Sequence, residues 1–407
     1  MSSETFEGPD WRVQVERPAT GGAIGHLADG RVIFVRHSLP GELVDVEITE
    51  TTSNFSRGDA RTIVEASPER VAPPCTYARP GGCGGCDLQH ASPVAQSEWK
   101  SAIVAGHLAR IAGIDVAVEV SSTDQDPRGS RTRLRCAVNE EGQLCLRASR
   151  SHELVAIDAC WIAAEAFAEA FSTLWDGALE VELRAIGDGD PFAVVKRDTH
   201  RGVIYELCSL RGEPLEPSTQ SRVAVRGHVY SVSPRSFWQS HRSAPEVLVD
   251  SVVEFSGLQP GDHVVDLFSG VGLLTIPLAT IVGPRGKVTA VESSPYAVRD
   301  ARQNGDGLAQ LKVREWSVTT RSINDVVAKD DVVVLDPPRS GLGKGVAATL
   351  IRRAPRRIVY VSCDAATFAR DLRTLSDGGF SLRELRVFDL FPMTEHVELV
   401  ALLDNDS

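Results

Sequence analysis

The stretch His263-Val-Val-Asp-Leu-Phe-Ser-Gly-Val-Gly272 decides the fold. Its apolar opening reads as a buried strand ending in an acid, and Gly270 and Gly272 then let the chain turn tightly before a helix begins. A ligand held by that turn would sit at the carboxyl end of the strand. The wider window Val264 to Gly283 is long and apolar enough to suggest a membrane span, yet Asp266, Gly270, Gly272 and Pro277 break it into strand, loop and helix. No membrane association is expected.

From about Ser233 onward the same rhythm repeats in KVTAVESS, VVVLDPPRS and RIVYVSCD. Strands alternating with helices predict an α/β fold with a mostly parallel, doubly wound sheet. The closing runs LRELRVFDLFP and EHVELVALL are joined by a short break containing proline, and are predicted to pair antiparallel at one edge. The arrangement resembles the class I methyltransferase sheet.

Upstream, Trp11 to Ala66 alternates short β-type runs with Gly and Pro breaks, predicting a small β-barrel. A helix is predicted from about Pro93 to Ala112, with Val94, Trp99, Ile103, Leu108 and Ile111 as its apolar stripe. Residues 116 to 229 mix strands with one helix near Ala163 to Leu174, an α+β region. The expected division is a barrel over 8–67, a middle domain over 68–230 and a catalytic domain over 231–407, with helix 93–113 packing on the last.

A chain of 407 residues exceeds what one core normally serves, which agrees with several domains. The first residues lack a charged start followed by an apolar run, so no secretory leader is expected and the cytoplasm is the expected compartment. The net charge of -12 argues against a general polyanion binder. Arg128, Arg131, Arg133, Arg135, Arg147 and Arg150 nevertheless form a candidate basic stripe opposed only by Glu140 and Glu141; a solvated strand face fits that charge pattern equally well. Eight cysteines are too few for a disulfide scaffold, and their clustering suggests metal or catalysis.

Two glycines after a strand suit a nucleotide, a nicotinamide cofactor or a plain turn. The missing third glycine and the later Asp336-Pro-Pro-Arg339 favour a methyl donor over a hydride carrier. Glu292, ending the next strand, stands where an acid receives ribose hydroxyls in nucleotide-binding sheets. Asp336 ends another buried strand, and its two prolines stiffen the following backbone; a helix N-cap is the other reading of that acid. Cys363 follows the strand Ile-Val-Tyr-Val-Ser and precedes a helix whose amides can stabilise a thiolate. Uracil carbon 5 reacts with a methyl electrophile only after a thiolate adds at carbon 6, and a base must then remove the carbon 5 proton. Cys363 is the candidate nucleophile and Glu398, flanked by apolar strand residues, the candidate base, with Glu395 and His396 as neighbouring competitors.

Together these residues resemble the RNA 5-methyluridine methyltransferase family. The resemblance implies S-adenosylmethionine as donor, contacted by Gln239 in Phe237-Trp-Gln239, by Phe268, by Glu292 and by Asp336, and it puts Cys363 on the nucleophile and Glu398 on the general base. It makes the amino-terminal segment a TRAM-type, OB-like RNA-binding barrel. It also implies a four-iron four-sulfur cluster on Cys75, Cys83, Cys86 and Cys160, with zinc as the rival metal. His241 and Leu273 depart from the family pattern. Cys136, Cys145 and Cys208 read as core residues. The implied partner is ribosomal or transfer RNA, ribosomal slightly favoured; no obligate protein partner is expected, and the default is a monomer. The rival readings are RNA 5-methylcytosine formation, disfavoured because Arg339 stands where such enzymes carry a second cysteine, and a noncatalytic RNA-binding protein with a retained donor site.

Overall fold

A computed structural model describes residues 11–123, 126–200, 202–216 and 220–406. The chain forms two compact units: residues up to 105 with 146–155 and 393–395, and residues 106–145, 156–392 and 396 onward.

In the first unit the strands Trp11–Ala19, Gly22–His26, Val32–Arg36, Leu43–Thr51 and Phe55–Glu65 close a barrel. Alternation puts Val13, Val15, Ile33, Val35 and Val44 inside, each essentially inaccessible, and burial of each such side chain contributes roughly 1.5–3 kcal/mol. Closure removes the sheet edges that five short strands would otherwise expose. Residues 8–10 of the expected barrel segment lie outside the described residues.

The helix Pro93–His107 runs into a wider turn, Leu108–Ala112, capped by Gly113 at a φ of 72°. Trp99, Ile103 and Leu108 are buried as the stripe predicts. Val94 and Ile111 are not, being 60% and 37% exposed; they lie at the ends of the stripe, where covering atoms run out.

The second unit holds an eight-stranded sheet in the order Leu311–Glu315, Lys287–Glu292, His263–Leu267, Val332–Leu335, Arg357–Ser362, Glu398–Asn405, Phe380–Asp389, Val120–Ser122. The first five are parallel to one another. The closing pair is antiparallel as expected, but it is not the edge. Val120–Ser122 adds a further strand parallel to Phe380–Asp389, and three residues are too short to announce themselves in the sequence. Strand order reverses on either side of His263–Leu267, so a crevice opens at its carboxyl end. The α+β region contributes antiparallel neighbours Gly202–Cys208, Phe192–Thr199, Ala178–Arg184 and Arg133–Val138. Cys136, Cys145 and Cys208 are buried there. No helix among the described residues is long and apolar enough to cross a membrane.

Candidate active site

The loop after His263–Leu267 is bent by unusual backbone: Phe268 has a φ of 68°, Gly270 of 55° and Gly272 of 93°. The N–H groups of Phe268 and Ser269 both donate to the Val291 carbonyl, at 2.9 and 3.1 Å. Those bonds offset the strain of holding a phenylalanine left-handed. A Cβ placed on Gly270 would meet nothing within 4 Å, so the loop lines open space. Glu292 spans its edge, accepting from Gly270 N–H at 3.0 Å with one oxygen and from Ser293 and Ser294 N–H with the other. Two buried polar atoms here, Asp266 Oδ1 near the strand end and Ser269 Oγ in the loop, have no hydrogen-bond partner among the described residues. An open cradle with orphaned acceptors and an acid at the adjacent strand end fits a nucleoside-bearing donor.

Burial pushes the Asp266 carboxyl up to about 7, with Asp336 and Glu292 adding repulsion against a hydrogen bond from Thr275. Asp336 is half-buried and burial likewise pushes it up to about 7. It does not cap a helix: the chain after it turns through Gly341 N–H to Pro338 O at 2.8 Å, and the next helix begins at Val346. That turn is fastened from the helix Ala365–Asp377. Thr367 Oγ1 donates to the Arg339 carbonyl at 3.1 Å, Arg370 to the Ser340 carbonyl at 2.9 Å, and Asp371 accepts from Leu342 N–H at 2.7 Å.

Cys363 lies between the strand Arg357–Ser362 and the same helix, whose N-cap Asp364 accepts from Thr367 N–H at 2.8 Å. The strand pairs antiparallel with Glu398–Asn405, ending on Ser362 opposite Leu399. One step further along both chains are Cys363 and Glu398. Burial pushes the half-buried thiol up to about 12, with the charge of Glu398 next in size and Arg339 opposing. Glu398 is 5% exposed, and burial, reinforced by Asp336 and opposed by Arg339, holds it well above the usual carboxylate range. Of the competitors, Glu395 is taken up in the first unit, accepting from Gly21 N–H at 2.7 Å. His396 packs edge-on against Phe391 at 6.1 Å.

Gln239 is half-buried, and its carbonyl accepts from Thr132 at 3.3 Å. Trp238 is buried while Phe237 is 52% exposed beneath the Arg133 guanidinium. The two departures from the family pattern are structural in their contacts. His241 Nδ1 accepts from Ser243 N–H at 3.2 Å, and Leu273 is a core residue whose carbonyl accepts from Tyr230 at 3.0 Å.

Among the described residues no group of three His, Cys, Asp or Glu side chains is arranged to hold a metal ion. Cys75, Cys83 and Cys86 lie in the first unit and Cys160 in the second, and none forms a disulfide. Gly85 N–H donates to Cys83 Sγ at 3.3 Å.

Two arginines of the candidate stripe are tied down within the second unit. Glu182 accepts from Arg133 and Arg135, both at 2.8 Å, and binds Arg184 as well. The sequence hid this, because Glu182 comes from a strand far along the chain. Sequence reasoning also passed over Asp371, whose signal was an acid on the apolar face of a helix, between Phe368 and Leu372.

Comparison with known proteins identifies the fold and the family. The model of the tRNA (uracil-5-)-methyltransferase family matches residues 217–406, and that of the TRAM domain residues 4–60. An uncharacterized RNA methyltransferase of Streptomyces avermitilis is 39% identical over 98% of each chain. A 23S rRNA (uracil(1939)-C(5))-methyltransferase, RlmD, of Edwardsiella ictaluri is 31% identical over 92% of this chain and 91% of its own. Among solved structures, a tRNA (uracil-54, C5)-methyltransferase of Pyrococcus abyssi, in complex with S-adenosyl-L-homocysteine, superposes with a TM-score of 0.69. It is 26% identical, over 96% of this chain and all of its own. Fold and site thus define an S-adenosylmethionine-dependent methyltransferase with an amino-terminal TRAM barrel. Within that class the chain belongs to the RNA uracil-5-methyltransferase family.

Proposed function

We propose that the protein methylates carbon 5 of one uridine in RNA by covalent addition, with Cys363 as nucleophile and Glu398 as general base. The observation that carries the reading is the meeting of these two residues at the ends of paired strands beside Asp336. The donor supplies an electrophilic methyl group. Gln239, Phe268, Glu292 and Asp336 are the proposed residues around it, the open loop and its orphaned acceptors supporting that assignment.

Cys363 loses its proton to solvent; burial and Glu398 oppose that step, and Arg339 and the amides of the helix it precedes favour it. Sγ bonds to carbon 6 of the uracil, and the displaced π electrons make carbon 5 nucleophilic. Carbon 5 takes the methyl group as the bond from methyl to donor sulfur breaks. Glu398 removes the carbon 5 proton, and the returning electron pair expels Sγ. A buried carboxylate with little solvation is a stronger base toward carbon than an exposed one. The target base must be extruded from its stack to reach this crevice.

The RNA we favour is ribosomal, supported by the similarity to the Edwardsiella protein over nearly the whole chain; transfer RNA is the second reading, supported by the Pyrococcus structure. The three-domain division at 67 and 230 and a cytoplasmic monomer are kept as working assignments. For Cys75, Cys83, Cys86 and Cys160 we propose an iron–sulfur cluster, zinc being the alternative. What supports it is the donor set itself: four thiols outside any disulfide, one of them receiving a backbone N–H on sulfur. Iron and sulfide analysis of anaerobically purified protein tests it, about four of each per chain being expected and stoichiometric zinc overturning it.

The reading as a whole is tested by methyl transfer to RNA isolated from cells lacking the protein. Mass spectrometry should detect 5-methyluridine with the intact chain and none with Cys363→Ala. Undiminished product from that variant would refute it.

A further inference from the structure

One face of the antiparallel sheet in the second unit is polar, and its charges are not evenly matched. Strand register places Glu182 between Arg135 and Val194, and Lys196 between Glu180 and Tyr205. Glu182 is saturated by three arginines, and Glu206 is paired with Arg197 at 2.8 Å. Among the described residues Lys196 and Arg235 have no carboxylate partner, so the face offers unspent positive charge.

This face is one wall of a groove of about 480 Å³, continuous with a second of about 320 Å³ through the shared residues Val194, Tyr205, Pro234, Arg235 and Tyr296. The opposite wall is Ser233-Pro-Arg235 and the helix Pro295–Asn304. Tyr205 is 54% and Tyr296 37% exposed. The guanidiniums of Arg235 and Arg299 lie 5.1 and 6.0 Å from the Tyr296 ring. Along the chain, two of its lining residues stand close to proposed donor contacts. Arg235 is four residues before Gln239, and Tyr296 four residues after Glu292.

We propose that this groove binds single-stranded RNA flanking the target uridine, one base stacking on Tyr205 and another on the Tyr296–Arg235 pair, with Lys196 and Arg299 on phosphates. Aromatic faces and cations along an open channel suit an unstacked polynucleotide, whose every base has a π-face and every linkage a charge. Of the cations, Lys196 and Arg235 are without a carboxylate among the described residues, and Arg299 has Asp300 3.7 Å away at the far end of its side chain. A duplex would not fit, since its bases stack on one another and present no free face. The proposal rests on the uridine-methylating reading and gives that enzyme a second zone of substrate recognition, clear of the chemistry.

The test uses the full chain and a fluorescein-labelled 12-residue oligouridylate, read by anisotropy with S-adenosylhomocysteine present. The variants are the Lys196→Ala/Tyr205→Ala and the Arg235→Ala/Arg299→Ala doubles, all four positions being at or near the surface. Each double should weaken binding at least about tenfold, and lower the slope of log affinity against log salt by about one. Calorimetric affinity for S-adenosylhomocysteine should be unchanged in the Lys196→Ala/Tyr205→Ala double. Binding by both doubles within twofold of the intact chain, or no binding by the intact chain itself, overturns the groove. The Cys363→Ala variant separates the two ideas. It should bind oligouridylate normally while losing methyl transfer, so failure of the covalent mechanism would appear in turnover and failure of the groove in affinity.

Discussion

Cys363 and Glu398 stand one step beyond the last pair, Ser362 and Leu399, of an antiparallel ladder, and the charge of Glu398 acts on the Cys363 thiol. The placement follows from topology. The strand leading to Cys363 is the last parallel strand of the sheet, and its outer neighbour returns antiparallel, so an end of one chain meets a beginning of the other at the crevice. A thiol and a carboxylate are thereby held at fixed spacing by backbone hydrogen bonds.

If Glu398 acts after methyl transfer, its removal should stall the reaction with the ring still attached. Glu398→Gln is expected to lower turnover by about 10²–10⁴ while donor affinity holds. A protein–RNA adduct should accumulate with ordinary uridine and resist denaturation on a gel. Rapid release of methylated RNA by this variant would remove Glu398 from the base role.

Asp266 offers a pH test. Its folded value of about 7 exceeds its unfolded value of 3.8, so the folded state holds the proton more tightly. Stability then falls as pH rises from about 4 to about 7 and stays lower above that window. Asp266→Asn removes this penalty. Its stability relative to the unmutated chain should improve between pH 5 and pH 8 by roughly 2–3 kcal/mol, measured by urea unfolding. A pH-independent difference would show that the carboxyl ionises freely in the fold.

Asp371 holds the Asp336 loop from behind. It accepts from Leu342 N–H at 2.7 Å and from Tyr360 Oη at 2.8 Å, with Arg370 alongside at 2.9 Å. Asp371→Ala strands two buried donors, and should destabilise the chain by about 2–4 kcal/mol. Tyr360→Phe, which leaves the loop bond in place, should cost about 1 kcal/mol. Equal losses from the two would place the energy in the Tyr360 hydroxyl alone.

Gly270 tests the donor cradle. Its φ of 55° disfavours any side chain, and an added Cβ would project into the open space of the loop. Gly270→Ala should cost about 1–2 kcal/mol of stability and weaken S-adenosylhomocysteine binding at least about tenfold, measured by calorimetry. Unchanged affinity would put the donor elsewhere.

The parts of this molecule written in short, contiguous stretches were readable in the sequence. The loop at 266–272 shows its turn through two glycines, both left-handed in the structure. The barrel shows alternation in Trp11–Ala19, Val32–Arg36 and Leu43–Thr51, because one face of each is buried. What the sequence concealed arises from distant partners. Val120–Ser122 is a strand only because Phe380–Asp389 offers it an edge. Arg133 and Arg135 look like free charge until Glu182, paired beside them in register, takes them up. The groove draws its walls from five separate stretches, no one of which carries a motif. Asp371 shows in the sequence only as an acid on the apolar face of its helix, and its role appears once its two donors, Leu342 N–H and Tyr360 Oη, are seen.

The most direct measurement of the central claim is incubation with labelled S-adenosylmethionine and RNA containing 5-fluorouridine. Fluorine cannot leave carbon 5 as a proton does, so the account predicts a methylated, denaturation-resistant protein–RNA adduct whose attachment maps to Cys363 and which Cys363→Ala abolishes. An adduct of equal yield from the alanine variant, or its attachment at another residue, would contradict it.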